Sequence, residues 1–331
     1  AWIYTKGKMQ YQQLMSSRGF QSSCDAKLHF GLDSIRYIDS MLIVWPDQKY
    51  QWLRNTPAKG LIEVKQVQSG GVFNYQTFFP SLKPLFDDIG AQVQCNWAHK
   101  ENDFLDFDKQ YLIPHMESTR GPKIAVADVN KDGLDDLFVC GAAGQAGTLM
   151  IQSSAGKFNA TDTAVFAKSK QSEGVDAVFF DANNDGAPDL YVVSGGNQYD
   201  DGAPFLADHL YMNNGSGHFT EAASAIPPML KNKSCVTVAD IDKDGDMDLF
   251  VGGLADDKRY GIAQPSYLLL NDGKGIFKPA DVSVIRSDNL GIVTSASFTD
   301  INNDGWNDLL VAGEWMGVKI FMRFIPFVFG L

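Results

Sequence analysis

From residue 122 onward the apolar positions come in short runs separated by acidic, glycine-containing turns, and the same order of runs returns four times. Runs at 124–127, 177–180, 236–239 and 296–299 each lead into an acidic turn. A second apolar run leaves that turn at 136–139, 189–192, 248–251 and 308–311 and ends in glycine. A third follows a variable loop at 148–152, 209–213, 266–270 and 318–322. In three repeats a turn rich in Asn, Gly or Lys then precedes Phe158, Phe219 or Phe277, which suits a hairpin into a fourth strand. Four short strands in each repeat predict the blade of a β-propeller, and the whole chain reads as all-β.

The first part of the chain has a different texture. Strands are expected at 2–5, 41–45 and 61–65 around a turn at 45–49, so residues 1–66 read as a small separate β module. The polar stretch 66–75 marks the expected boundary, and residues 67–121 read as a linker and lead-in strands. The repeats occupy 122–322, and an apolar tail at 323–331 replaces the turn and phenylalanine that the other repeats carry.

The acidic turns share the pattern D-x-[DN]-x-D-G-x-x-D at 128–136, 181–189, 240–248 and 300–308, with first positions 53, 59 and 60 residues apart. A long period built on a metal-ligand pattern indicates a repeat architecture. Alternate loop positions 1, 3 and 5 can turn side-chain oxygens to one side of a curled backbone, glycine at position 6 supplies the turn, and position 7 can lend its carbonyl. The expected metal ligands are Asp128, Asn130, Asp132, Leu134 and Asp136, then Asp181, Asn183, Asp185, Ala187 and Asp189. The third set is Asp240, Asp242, Asp244, Asp246 and Asp248, and the fourth Asp300, Asn302, Asp304, Trp306 and Asp308. Hard oxygen donors without His or Cys favour Ca²⁺ over zinc or copper, and a flexible ring favours it over Mg²⁺.

An EF-hand is excluded, because it needs a bidentate Glu at position 12, where this chain has Val139, Val192, Val251 and Val311. Dockerin-like and thrombospondin-like arrays set their loops closer together on helical or Cys-rich frames, which are lacking here. Acidic turns that bind nothing would not recur four times in register. Up to four structural Ca²⁺ are therefore expected, since each loop joins two strands of one blade and its carboxylates would otherwise repel.

Charge and composition narrow the picture. The net charge of −12 argues against nucleic acid, which draws on clustered Lys and Arg. Thirteen of the acidic residues occupy loop positions 1, 3, 5 and 9, and four Ca²⁺ would bring −12 to about −4. Cys24, Cys95, Cys140 and Cys235 lie far apart and make no disulfide framework, and Cys140 and Cys235 read as small buried side chains within strands. The opening Ala1-Trp2-Ile3-Tyr4 reads as the middle of a strand, so further sequence is expected upstream, and the tail at 324–331 is too short to span a bilayer.

Several residues carry a resemblance. Gly19 to Ser23, Leu28-His29-Phe30-Gly31-Leu32, and Asp39-Ser40 before Ile43-Val44-Trp45-Pro46-Asp47 resemble the ASPIC/UnbV domain. The repeats resemble FG-GAP/VCBS repeats, the blades of the integrin-α-like propeller, and the combination resembles the cartilage acidic protein family. The fold implied is a partial propeller of about four calcium-loop blades preceded by a small β module. In most of that family the module follows a propeller, which suggests that this chain is a piece of a longer protein. Seven blades close an integrin-like ring, so missing sequence or a partner is expected to complete an open arc.

No nucleophile elbow, phosphate-cradling loop or Ser/His/Asp arrangement stands out, so no catalytic residue is assigned. The resemblance implies an extracellular, cell-surface or periplasmic binding or adhesion module for a protein or a glycan, engaged through the long variable loops at 195–208 and 254–265. The alternative is a hydrolase or lyase acting on polysaccharide, with catalytic residues in those loops or around His99 and His115; His29, beside Leu28 and Phe30, reads as structural.

Overall fold

The computed structural model describes the whole chain except residues 18, 81–83, 282–289 and 324–331, together with all but the side chain of Val67. The chain divides into two units, Ala1–Asp87 and Asp88–Leu331.

The first unit is one antiparallel sheet of β1 (Trp2–Thr5), β2 (Lys8–Tyr11), β3 (Tyr37–Val44), β4 (Lys49–Pro57) and β5 (Gly70–Val72), in the order β2-β1-β3-β4-β5. Side chains alternate across a strand, and here the alternation separates two kinds of core. Ile3, Ile38 and Met41 pack on one face with Phe30, Leu32, Ile43, Leu53 and Ile62. Trp2 and Trp52 lie on the other, where Phe73, Phe78 and Phe79 stack around them. Two expectations are corrected here. Residues 61–65 form no strand: Ile62 packs on the core, but Leu61 is 80% exposed and no strand pairs with the segment. The stretch expected to be a linker supplies β5, whose Val72 pairs with Lys49 and whose phenylalanine neighbours complete the aromatic face. His29 leaves its side chain exposed while its backbone exchanges hydrogen bonds with the Gln12 amide.

The second unit holds four blades in chain order. The first is β6 (Ile124–Ala127), β7 (Asp136–Val139), β8 (Thr148–Gln152) and β9 (Phe158–Thr161). The second is β10 (Glu173–Phe180), β11 (Asp189–Gly195), β12 (His209–Asn213) and β13 (Phe219–Glu221). The third is β14 (Lys233–Ala239), β15 (Asp248–Gly253), β16 (Tyr267–Asn271) and β17 (Phe277–Pro279). The fourth has only β18 (Ile292–Thr299), β19 (Asp308–Glu314) and β20 (Lys319–Phe321) among the described residues. Every blade is an antiparallel meander, so the fold is all-β and propeller-like, as the periodicity requires.

The cores lie between blades rather than within them. Phe138 and Leu149 of the first blade pack on Leu190, Val192 and Tyr211 of the second. Tyr191 and Leu210 of the second pack on Leu249, Val251 and Leu269 of the third, and Phe250 and Leu268 of the third on Leu309 and Val311 of the fourth. Each of these side chains contributes about 1.5–3 kcal/mol when fully buried. Cys140 and Cys235 belong to these interfaces as buried free thiols, and burial pushes them up to about 12 and about 11. They are inert fillers, as their place in the strands suggested.

A buried ion pair crosses the connection between the second and third blades. Lys233 and Asp208 lie 3.3 Å apart with no exposure of either side chain. The ammonium also donates to the carbonyls of Leu206, Met229 and Lys231, and the carboxylate accepts from the Ser194 N–H and the Tyr191 hydroxyl, both at 2.8 Å. Every polar atom of the pair is used, which is what allows the charges to be buried.

Candidate metal centres

Each acidic loop is the connection between the first and second strands of its blade, so all four lie at one end of the blade array. The backbone turns through the left-handed region twice in every loop. Position 6 is Gly133, Gly186, Gly245 or Gly305 with φ between 78° and 98°, and position 4 is Lys131, Asn184, Lys243 or Asn303 with φ between 57° and 64°. Glycine meets the first demand at no steric cost, and the second is borne by ordinary side chains. The repeated D-x-[DN]-x-D-G-x-x-D pattern revealed only the first of these turns.

This curl draws the side chains of positions 1, 3 and 5 inward onto the loop's own N–H groups. In the first loop Asp128 accepts from the N–H groups of Asp132 (3.1 Å) and Gly133 (2.8 Å), and Asn130 accepts from Asp132 at 3.0 Å. Asp132 in turn accepts from the Leu134 N–H at 2.9 Å. The second and fourth loops repeat this set around Asp181, Asn183 and Asp185, with Ala187 donating, and around Asp300, Asn302 and Asp304, with Trp306 donating. In these three loops the Asn side-chain amide also donates to the position 5 carboxylate, at 3.2, 3.0 and 2.8 Å.

The third loop lacks that amide because Asp242 replaces Asn. Oxygens of Asp240, Asp242 and Asp244 come within 4.8 Å of one another. Among the described residues none of the three makes an ion pair. Asp246, at position 7, turns its carboxylate to the neighbouring loop, where Asn184 donates to it at 2.5 Å. Burial pushes Asp242 above the ordinary carboxylate value, with the charges of Asp244 and Asp240 adding to the shift. Three close oxygens on flexible carboxylates suit a hard cation of calcium's size, so the residues present fit the ion that the pattern suggests.

Position 9 has a structural task that the sequence did not disclose. Asp136, Asp189, Asp248 and Asp308 are all buried. One oxygen of each accepts from the N–H of loop position 2, at Val129, Ala182, Ile241 or Ile301, at 3.0–3.1 Å. The other accepts from the end of the third strand or just beyond it, at Gln152, Asn213, Asn271 or Arg323, at 2.7–2.9 Å. This carboxylate therefore ties loop, second strand and third strand together. Burial pushes Asp189 and Asp248 up to about 6, and the other loop carboxylates push the same way.

Among the described residues, the two remaining gatherings of carboxylates are already neutralised. His115, Glu117 and Glu314 surround Arg120, whose guanidinium bonds both acids, with Glu314 at 2.8 Å. Asp201, Asp256 and Asp257 pair with Lys231 at 2.7 Å, Arg259 at 3.1 Å and Lys109 at 2.8 Å. His99 lies apart from His115, bonded to Glu101 at 2.6 Å beside Trp97. Lys109, Arg120 and Gln110 escaped the sequence reading because nothing local marks them. They matter through contacts with loops roughly ninety to two hundred residues away.

Family models place these observations. The description "ASPIC and UnbV" matches residues 1–70, and "FG-GAP-like repeat" matches residues 128–192 and 181–251. An ASPIC/UnbV domain precedes FG-GAP-like repeats in this chain. Both matched repeats begin on the first aspartate of an acidic loop. No curated protein matches. Among solved structures, the V. cholerae biofilm matrix protein Bap1 is similar at 15% identity with a TM-score of 0.27, over 58% of this chain and 28% of that one. No helix among the described residues is long and apolar enough to cross a membrane.

Proposed function

We propose that the FG-GAP-like repeats form a calcium-stabilised binding module of the extracellular or periplasmic space, which presents a protein- or glycan-binding surface at the end opposite the acidic loops. The observation that carries the calcium assignment is the trio Asp240, Asp242 and Asp244, three close carboxylates without a cationic side chain to neutralise them. The ions would be held by positions 1, 3 and 5 with the position 7 carbonyl, and position 9 at Asp136, Asp189, Asp248 and Asp308 would close each cage. The chemistry supplied is charge neutralisation, and the chain's own residues contribute a preformed turn.

At the opposite end the two long variable loops meet. Gln264 bonds Asp201 at 3.0 Å, Lys258 pairs with Asp200 at 3.4 Å, and Lys109 spans Asp200 and Asp257 at 3.0 and 2.8 Å. Beside them Trp315 is 77% exposed and packs edge-on against Tyr260, a flat apolar ring among charged groups of the kind on which sugar rings stack. The module reading is tested by glycan-array and pull-down binding with and without calcium. Calcium-dependent binding weakened by Trp315→Ala supports it, whereas turnover of a polysaccharide abolished by His99→Ala or His115→Ala would replace it with an enzyme.

A further inference from the structure

The second blade and the connection that enters it bring together three side chains that no short motif marks. Ser172 ends the connection just before β10, His209 opens β12 and Glu221 closes β13. His209 stands 37 residues from Ser172 and 12 from Glu221. The Glu221 carboxylate lies 2.8 Å from Nδ1 of the His209 ring, and Nε2 lies 3.2 Å from the Ser172 hydroxyl. Register sets the first contact: Tyr211 pairs with Glu221 across β12 and β13, and His209, two residues back, shares that face. A carboxylate that accepts the Nδ1 proton leaves Nε2 with its lone pair, so the ring accepts from the hydroxyl. Hydroxyl, imidazole and carboxylate in this order and at these distances are the parts of an activated serine.

Ser172 and His209 line a cavity between the first and second blades, with Phe138, Phe166 and Val192 in its apolar wall. Its empty volume is about 300 Å³ counted out to open solvent, at the small end of ligand pockets. Ser194 lines the same cavity, is wholly buried, and leaves its Oγ without a hydrogen-bond partner among the described residues. A buried hydroxyl in that state calls for a reason. The other hydroxyls on the wall are engaged, since Ser169 and Tyr211 bond one another at 2.7 Å.

We propose that this cavity is a serine hydrolase site for short acyl esters. Ser172 is the nucleophile, His209 its base and acid, Glu221 the positioning residue, and Ser194 the donor to the carbonyl oxygen. Ser172 Oγ bonds to the carbonyl carbon while its proton passes to Nε2 of His209. The bond from that carbon to the alcohol oxygen then breaks as His209 gives the proton to the leaving oxygen. Water adds to the acyl-serine by the same proton transfers, which releases the acid and restores Ser172. At each tetrahedral stage the negative oxygen takes a hydrogen bond from the free Ser194 hydroxyl. The size and apolar wall of the cavity select a short, uncharged acyl group, and the alcohol stays towards solvent.

Hydrolysis of p-nitrophenyl acetate by the full chain, together with labelling by a fluorophosphonate, tests this. The phosphonate gains a bond to the serine oxygen and loses fluoride, and peptide mass spectrometry is expected to place the label on Ser172. Ser172→Ala and His209→Ala are each expected to lower kcat/KM by at least about 100-fold and to abolish the label. Ser194→Ala should lower kcat by about 100-fold. Glu221→Gln turns a donor towards Nδ1, so it should lower kcat by about 100-fold or more with KM nearly unchanged, a split that loss of structure would not give. His218→Ala removes an exposed histidine that also faces a carboxylate, Asp162 at 3.2 Å, and should leave turnover as it is. Circular dichroism checks the fold of each variant, and the label on the natural chain decides the point where a substitution disturbs folding. The inference falls if the natural chain shows no turnover, if the phosphonate fails to label Ser172, or if turnover survives Ser172→Ala. Calcium response and glycan binding are separate readouts that leave it untouched.

Discussion

The side-chain amide of Asn271 in the third blade donates to the Ala182 carbonyl in the second blade's acidic loop at 2.8 Å, and to the Met247 carbonyl of its own at 3.2 Å. Asn213 of the second blade repeats the contact, to Val129 of the first at 2.8 Å and to Pro188 at 3.1 Å. One blade's third strand thus fixes the preceding blade's loop. Lys243, 4.2 Å over the Trp306 ring, joins the third loop to the fourth by a different contact.

This stitch predicts the effect of Asn271→Ala. The buried Ala182 carbonyl loses its donor at about 1–3 kcal/mol and the half-buried Met247 carbonyl loses less, so the repeat unit should lose about 2–4 kcal/mol in urea unfolding. Asn214→Ala, in the exposed turn beyond the other amide, should cost under about 1 kcal/mol by the same measurement. Equal losses in the two variants would remove the special role of the buried amide.

Calcium should raise stability. If affinity lies near 0.1 mM, as in extracellular modules, about 2 mM calcium adds about 1.8 kcal/mol for each occupied site. Differential scanning calorimetry in calcium and in EGTA checks this, and identical melting curves would remove the ions from the fold.

The two kinds of loop aspartate should separate cleanly. Asp185→Asn changes an exposed position 5 and is expected to leave the EGTA melting curve nearly unchanged while cutting the calcium response. Asp189→Asn puts an NH₂ against one of two backbone donors in a buried site, and should cost about 2–4 kcal/mol even in EGTA. If the two substitutions behave alike, position 9 does nothing beyond what the other ligands do.

Glu173 predicts a pH dependence. It is 1% exposed, one oxygen accepts from Gln198 at 2.5 Å, and burial pushes its carboxyl up to about 8. The folded state therefore keeps a proton that the unfolded chain loses near its ordinary value of about 4.5. Stability from this group is complete below about pH 4.5 and is lost as pH rises to about 8. Urea midpoints across that window should fall for the natural chain and fall less for Glu173→Gln. A midpoint that rises with pH equally in both would contradict it.

How much of this was legible in sequence follows from what acts locally. The strands around each acidic loop could be read from their short apolar runs alone, because a sheet buried on both faces needs apolar runs of just that length. The loops could be read because a tight curl requires Gly133 and its three counterparts. Leu61–Lys65 failed as a strand for the opposite reason: Ile62 packs on the core while Leu61 stays exposed, no neighbouring strand pairs with the segment, and β5 takes the sheet edge instead.

The sequence by itself determined the repeat, its period, the oxygen-rich donor set and the all-β class, since each of these is a matter of residue types at short spacing. Only the tertiary structure decided that position 9 is also a three-way tie, that Asn213 and Asn271 fix the loops of the blades before them, and that Ser172, His209 and Glu221 come together. Those roles depend on groups that lie far apart in the chain and meet only when blade packs on blade, which short-range pattern does not encode.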